Sequence, residues 1–107
     1  MAGIVPLAVA TLNSASTPIS SPTLLYTSTG DVLMSVIITN TTATDAEAYV
    51  YVETSSFPTS PQIAYKLPIP AYNSYETFRF ATDLADEVLV AGSAGLVFYA
   101  QGIEQIG

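Results

Sequence analysis

Residues 32–39 read VLMSVIIT and residues 47–53 read EAYVYVE, and both alternate with a period of two. Successive side chains of a strand point to opposite faces, so this period belongs to extended chain and not to a helix. In the first run Val32, Met34, Val36 and Ile38 share one face. Leu33, Ser35, Ile37 and Thr39 share the other, which is itself half apolar. In the second run Ala48, Val50 and Val52 form an apolar face, and Glu47, Tyr49, Tyr51 and Glu53 form the opposite one. The connection 40–45, NTTATD, is short and polar, which predicts an antiparallel hairpin of these two strands with their apolar faces in one core.

The rest of the chain has the same character, rich in Val, Ile, Thr, Tyr and Phe and punctuated by turn residues. A first run covers residues 3–12 and is followed by a Ser/Thr/Pro-rich passage, 13–22, that reads as a linker or an arm lying across a neighbour. Residues 23–27 form a second run, closed by a turn at 28–31. Pro58 and Pro61 make 55–61 a loop, since proline removes a ladder donor and fixes the backbone. Residues 62–67 resume a strand, ended by Pro68 and Pro70. Residues 75–80 follow, with Phe78 and Phe80 expected on one face and Tyr75, Thr77 and Arg79 on the other. An acidic turn at 82–87 has room for one helical turn capped by Asp83. Short strands at 88–91 and 96–101 flank the tight connection Gly92-Ser93-Ala94-Gly95. Seven or eight short strands at a spacing of about 8–12 residues predict an all-β antiparallel sandwich, jelly-roll or Ig-like. Residues 1–22 would be an amino-terminal strand and arm, and 23–107 the sandwich domain.

Composition limits what such a sandwich can bind. The 107 residues suit one domain, and half are hydrophobic. Only 10% are charged, against about 25% in an ordinary soluble domain. A chain so short of charge is expected to hide part of its surface against partners. Its net charge is −7, with Lys66 and Arg79 as the only cations. Two cations cannot displace counterions along a phosphate backbone or hold an anionic lipid surface, so neither nucleic acid nor membrane is an expected partner. No apolar stretch approaches the length of a membrane-spanning helix. Without cysteine or histidine the chain lacks disulfides, thiol chemistry, the usual zinc ligands and the commonest general base. The first residues lack a basic region and Pro6 interrupts their apolar run, which reads against a cleaved signal. Asn40-Thr41-Thr42 matches a glycosylation sequon but is also ordinary turn chemistry.

Candidate chemistry is sparse. Asp83, Asp86 and Glu87 could serve as calcium ligands or as an acid/base pair, but a calcium loop needs more oxygens at fixed spacing, and solvated turn residues are the better reading. Lys66 beside Tyr65 reads as a snorkelling or ion-paired lysine. Gly92-Ser93-Ala94-Gly95 does not fit a nucleophile elbow. Exposed tyrosines could stack on sugars, which keeps a secreted carbohydrate-binding or adhesion module as an alternative. No catalytic residue, cofactor or metal site is assigned. Tyr49, Tyr51, Tyr72 and Tyr75 are the candidates for a subunit interface, with the sandwich's own chain as the alternative cover for Tyr49 and Tyr51.

Two segments carry a family resemblance. One runs from Thr23-Leu24-Leu25-Tyr26-Thr27 to Met34-Ser35-Val36-Ile37-Ile38-Thr39-Asn40-Thr41. The other runs from Leu67-Pro68-Ile69-Pro70 through Asn73, Tyr75 and Phe78 to Leu84 and Glu87-Val88-Leu89-Val90. This pattern resembles the small β-sandwich virion structural proteins of tailed bacteriophages. The resemblance implies a non-enzymatic virion component without cofactors: a capsid decoration or cement protein, or else a protein of the neck, tail or fibre attachment. It also implies partners among major capsid or other virion proteins and a homo-oligomer, taken here as a homotrimer.

Overall fold

In a computed structural model, residues 3–17, 21–53 and 62–105 are described. The loop expected over 55–61 and part of the Ser/Thr/Pro passage lie outside them. The longest ladder joins β3 (Asp31–Asn40) to β9 (Leu96–Gln105). Their antiparallel register is unbroken from Asp31 opposite Gln105 to Asn40 opposite Leu96. β9 therefore runs four residues beyond the expected 96–101. It passes through Gly102, where a Cβ would collide with the Leu33 carbonyl and the Met34 backbone, so only glycine lets β3 approach this closely.

β1 (Val5–Thr11) pairs with the other side of β9. β6 (Ser74–Glu76) and β7 (Phe80–Thr82) pair in succession along the free side of β3. The second sheet has the order β2 (Thr23–Thr27), β8 (Glu87–Gly92), β4 (Ala46–Glu53), β5 (Gln62–Ile69). With β6 and β7 counted as one interrupted edge strand, the sheets read 1-9-3-6/7 and 2-8-4-5. The chain changes sheet at every step except from β4 to β5, which is the winding of a jelly roll. The chain is thus an all-β antiparallel sandwich, jelly-roll rather than Ig-like in topology.

Three expectations change. Strands β3 and β4 do not form a hairpin: they lie in opposite sheets, and residues 41–45 carry the chain across the end of the sandwich. Asn40, fully buried, holds that crossing by donating from Nδ2 to the carbonyls of Thr44 (2.8 Å) and Ile69 (3.0 Å) and accepting at Oδ1 from Thr42. The apolar faces still meet, because Val36 and Ile38 from one sheet and Ala48, Val50 and Val52 from the other belong to one core. Second, the strand expected over 75–80 is broken. Thr77 donates its N–H to the Val36 carbonyl and accepts the Val36 N–H on its own hydroxyl at 3.0 Å. A side chain stands where a ladder carbonyl would, and the alternation loses phase: Phe80 is buried while Phe78 is 63% exposed. Third, β5 continues through Pro68, tolerated because β5 is an edge strand. The acidic segment 83–86 is a turn, not a helix.

Irregularities mark the outer strands. β1 carries Pro6 and a register shift between Pro6 and Ala8, and β2 a shift between Leu24 and Tyr26. β5 has two shifts against β4, one at Lys66, whose φ of 49° is the left-handed conformation of a bulged residue. Between the sheets Phe98, Met34, Ile38, Ile69 and Leu96 are all essentially solvent-free. Each such side chain contributes about 1.5–3 kcal/mol by leaving water. β1, the amino-terminal strand expected ahead of the arm, is built into its own chain's sheet, and Ala8 and Ala10 pack on this core. After it, Ser16 exchanges backbone hydrogen bonds with Gly92 at 2.8 and 3.0 Å.

Candidate functional site

Alternation along the ladders gives the sandwich two outward faces, and the candidate tyrosines do not converge on either. Tyr49 lies on the outward face of the four-stranded sheet, half-buried, with its ring edge-on to that of Tyr65 at 5.4 Å and 81°. This T-shaped arrangement sets the positive ring edge against the negative face. Tyr51 shares that face yet is only 4% exposed, as is its cross-strand neighbour Leu89 at 7%. Both are covered by their own chain, the alternative held open for Tyr51 from sequence. Tyr72 is 72% exposed in the turn after β5, with φ of 57° and its N–H donated to the Thr42 carbonyl. Tyr75 is exposed on β6, at the opposite sheet's edge. Two of the four thus lie on one sheet's outer side, one at an end and one at an edge.

The outward face of the five-stranded sheet was the larger surface missed from sequence. Val9, Tyr99 and Ile37 form one cross-strand row on it, and Thr11, Val97 and Thr39 the next. Val9 and Ile4 are both more than half exposed. The signal was the half-apolar second face of residues 32–39, matched by Val97 and Tyr99 in the last strand. At its β6 side Glu76 accepts hydrogen bonds from Ser35 (2.8 Å) and Gln101 (3.2 Å). Arg79 lines the same shallow hollow with Ile4, Leu33 and Ile103.

Three of the acidic residues, Asp31, Asp83 and Asp86, gather at one end. Asp31 opens β3 beside Asp83, and Asp83 and Asp86 flank the 84–85 turn. Their carboxylates serve that turn: Asp86 accepts the Asp83 N–H at 2.9 Å and Asp83 the Leu84 N–H at 2.7 Å. Among the described residues no three Asp, Glu, His or Cys side chains are placed to hold a metal ion. Buried Ser28 ties this end together, accepting from the Thr82 hydroxyl at 3.0 Å and donating to the Gly30 carbonyl at 2.7 Å. Lys66 is exposed beside Tyr65. Ser93 accepts the Glu47 N–H at 3.2 Å, consistent with turn chemistry in Gly92–Gly95.

A side-chain hydrogen bond with Asp83, and then the like charge of that carboxylate, raise the pKa of Asp31 above its usual value. An acid with a raised folded-state pKa binds more protons folded than unfolded, so stability falls as pH rises from the usual value through the raised one and is level above it. Asp31→Asn is therefore expected to melt slightly higher than the parent at pH 7. The two should melt together at pH 3, where the Asp31 carboxyl is protonated. Thermal melts at the two pH values check this, and a lower melting temperature for the variant at pH 7 would contradict it.

The fold and surface define a small jelly-roll sandwich with one outward face partly sealed by its own chain and one left open. No family model matches the sequence, and no curated protein matches it. Among solved structures the chain is similar to Eiger TNF from S. frugiperda, with a TM-score of 0.47 and 11% identity, covering 95% of this chain and 87% of that one.

Proposed function

We propose that this chain is a non-enzymatic structural component of a bacteriophage virion, a capsid decoration or cement protein that assembles as a homotrimer and binds the shell. The observation that carries the reading is a surface with very little charge on a β-sandwich. Nine acids and two bases serve the whole chain, while Ile4, Val9, Leu24, Tyr65, Tyr72, Phe78 and Leu84 are each at least half exposed. A monomer that stays alone covers itself with charge, whereas a protein that spends its life against neighbours need not. The resemblance of residues 23–52 and 63–90 to phage virion proteins supplies the particular setting.

The mechanism is mechanical. Many copies, each spanning neighbouring shell subunits with an interface of about 1,600 Å², resist expansion of the shell through repeated weak contacts. Mass spectrometry of gradient-purified phage particles is expected to find the chain in a fixed ratio to the major shell protein, with immunogold label on the head. Label confined to the neck or tail would move the role there, and absence from particles would end the virion reading.

A further inference from the structure

We infer that the outward face of the five-stranded sheet is a contact surface between copies of this chain, and that the opposite sheet's face is not. This deepens the structural-component reading by naming what covers one surface. The first ground is size. β3 and β9 are ten residues long, β1 seven, and β6 and β7 three each, which at about 3.3 Å per residue and about 4.8 Å between strands gives a face of roughly 520 Å². That is about two thirds of the ~800 Å² each partner contributes to a standard interface.

The second ground is chemistry. Val9, Ile37, Tyr99 and Val97 on one side of the Ser35–Gln101 row, and Leu33 and Ile103 on the other, make most of the face apolar, and nothing among the described residues lies over Val9, which is 62% exposed.

The third ground is charge, which selects the occupant. The molecule carries −7, so two copies repel unless they meet where that charge is absent. On the five-stranded face Glu76 and Arg79, one of each sign, lie along the β6 side, and the carboxylates of Asp31, Asp83 and Asp86 lie at the end beyond Leu33. The other outward face carries Glu47, Glu53 and Glu87, the last two directly opposite each other across the ladder, against Lys66 alone. Tyr51, Leu89 and Ala91 on that face are already covered. A second copy fits this face away from its Asp31 end, around Val9, Tyr99 and Ile37, where like charges do not oppose approach.

Sedimentation of the full chain and of two single variants tests this. Val9→Glu and Ile4→Glu both alter side chains more than half exposed, so the sandwich should fold, which far-UV circular dichroism verifies. Wild type is expected to sediment as a multiple of 11.2 kDa. Each variant should associate at least about 100-fold more weakly, since like charges set against each other in an interface cost several kcal/mol. Tyr65→Glu on the other face should leave the mass unchanged. A monomeric wild type, folded Val9→Glu and Ile4→Glu chains that keep the oligomer, or dissociation by Tyr65→Glu would each overturn the inference. The virion reading fails separately, in particle composition. A chain absent from particles yet associating through Val9 upholds the contact, and a monomeric chain present in them refutes it.

Discussion

Phe98→Ala is expected to lower the unfolding free energy by about 3–5 kcal/mol, the usual cost of removing a buried aromatic ring from a core. Phe98 has no solvent exposure and stands on β9 opposite Ile38 on one side and Ala10 on the other. Alanine at position 10 brings little bulk with which to fill the void, so the site should collapse poorly. A domain of this size commonly has only about 5–15 kcal/mol to lose. The variant should therefore unfold at much lower urea with an unchanged denaturant slope. Phe98→Leu, which keeps most of the volume, should recover more than half of the loss. Equilibrium urea titration of the three chains checks the order, and a loss under about 1 kcal/mol for the alanine variant would show that the core does not close around this ring.

Asn40→Ala should cost about 3 kcal/mol for a different reason, the stranding of polar groups at a buried site. The Asn40 side chain donates to two carbonyls, from the 41–45 crossing and from the end of β5, and accepts the Thr42 N–H and hydroxyl. Alanine leaves the Thr44 and Ile69 carbonyls and the Thr42 amide without those partners. Asn40→Asp should be worse than alanine, because a carboxylate would face two carbonyl oxygens that need donors. Thermal and urea unfolding compare the two, and an aspartate variant as stable as the parent would refute the assignment. The same geometry bears on the sequon. An amide nitrogen buried and donated twice is not open to a glycosyl group in the folded chain.

Much of the fold was legible because alternation is a local property. Residues 23–27 coincide with β2, and the inward set Val32, Met34, Val36, Ile38, Ala48, Val50 and Val52 is buried as the pattern implied. Pairing is not local, and there the sequence misled. A six-residue polar connection looks like a hairpin loop whether the chain turns back within one sheet or crosses to the other, and the deciding contact is between Asn40 and Ile69, 29 residues away. The break at Thr77 was hidden for a similar reason, since its hydroxyl replaces a carbonyl only in the presence of Val36. For Tyr51 the sequence left two covers open, because a side chain on an outward face is exposed only if nothing else in the chain lies over it.

The sheets of an open sandwich end in rows of unpaired amides and carbonyls, and those rows invite runaway growth into fibres. Here each of the four outer strands is marred: β1 by proline and a bulge, β2 by a bulge, β5 by proline and two bulges, and the β6–β7 edge by an outright gap. Strand addition at these rims would find no continuous template. A chain so apolar is thereby guarded, even at high concentration, against strand-by-strand growth into filaments.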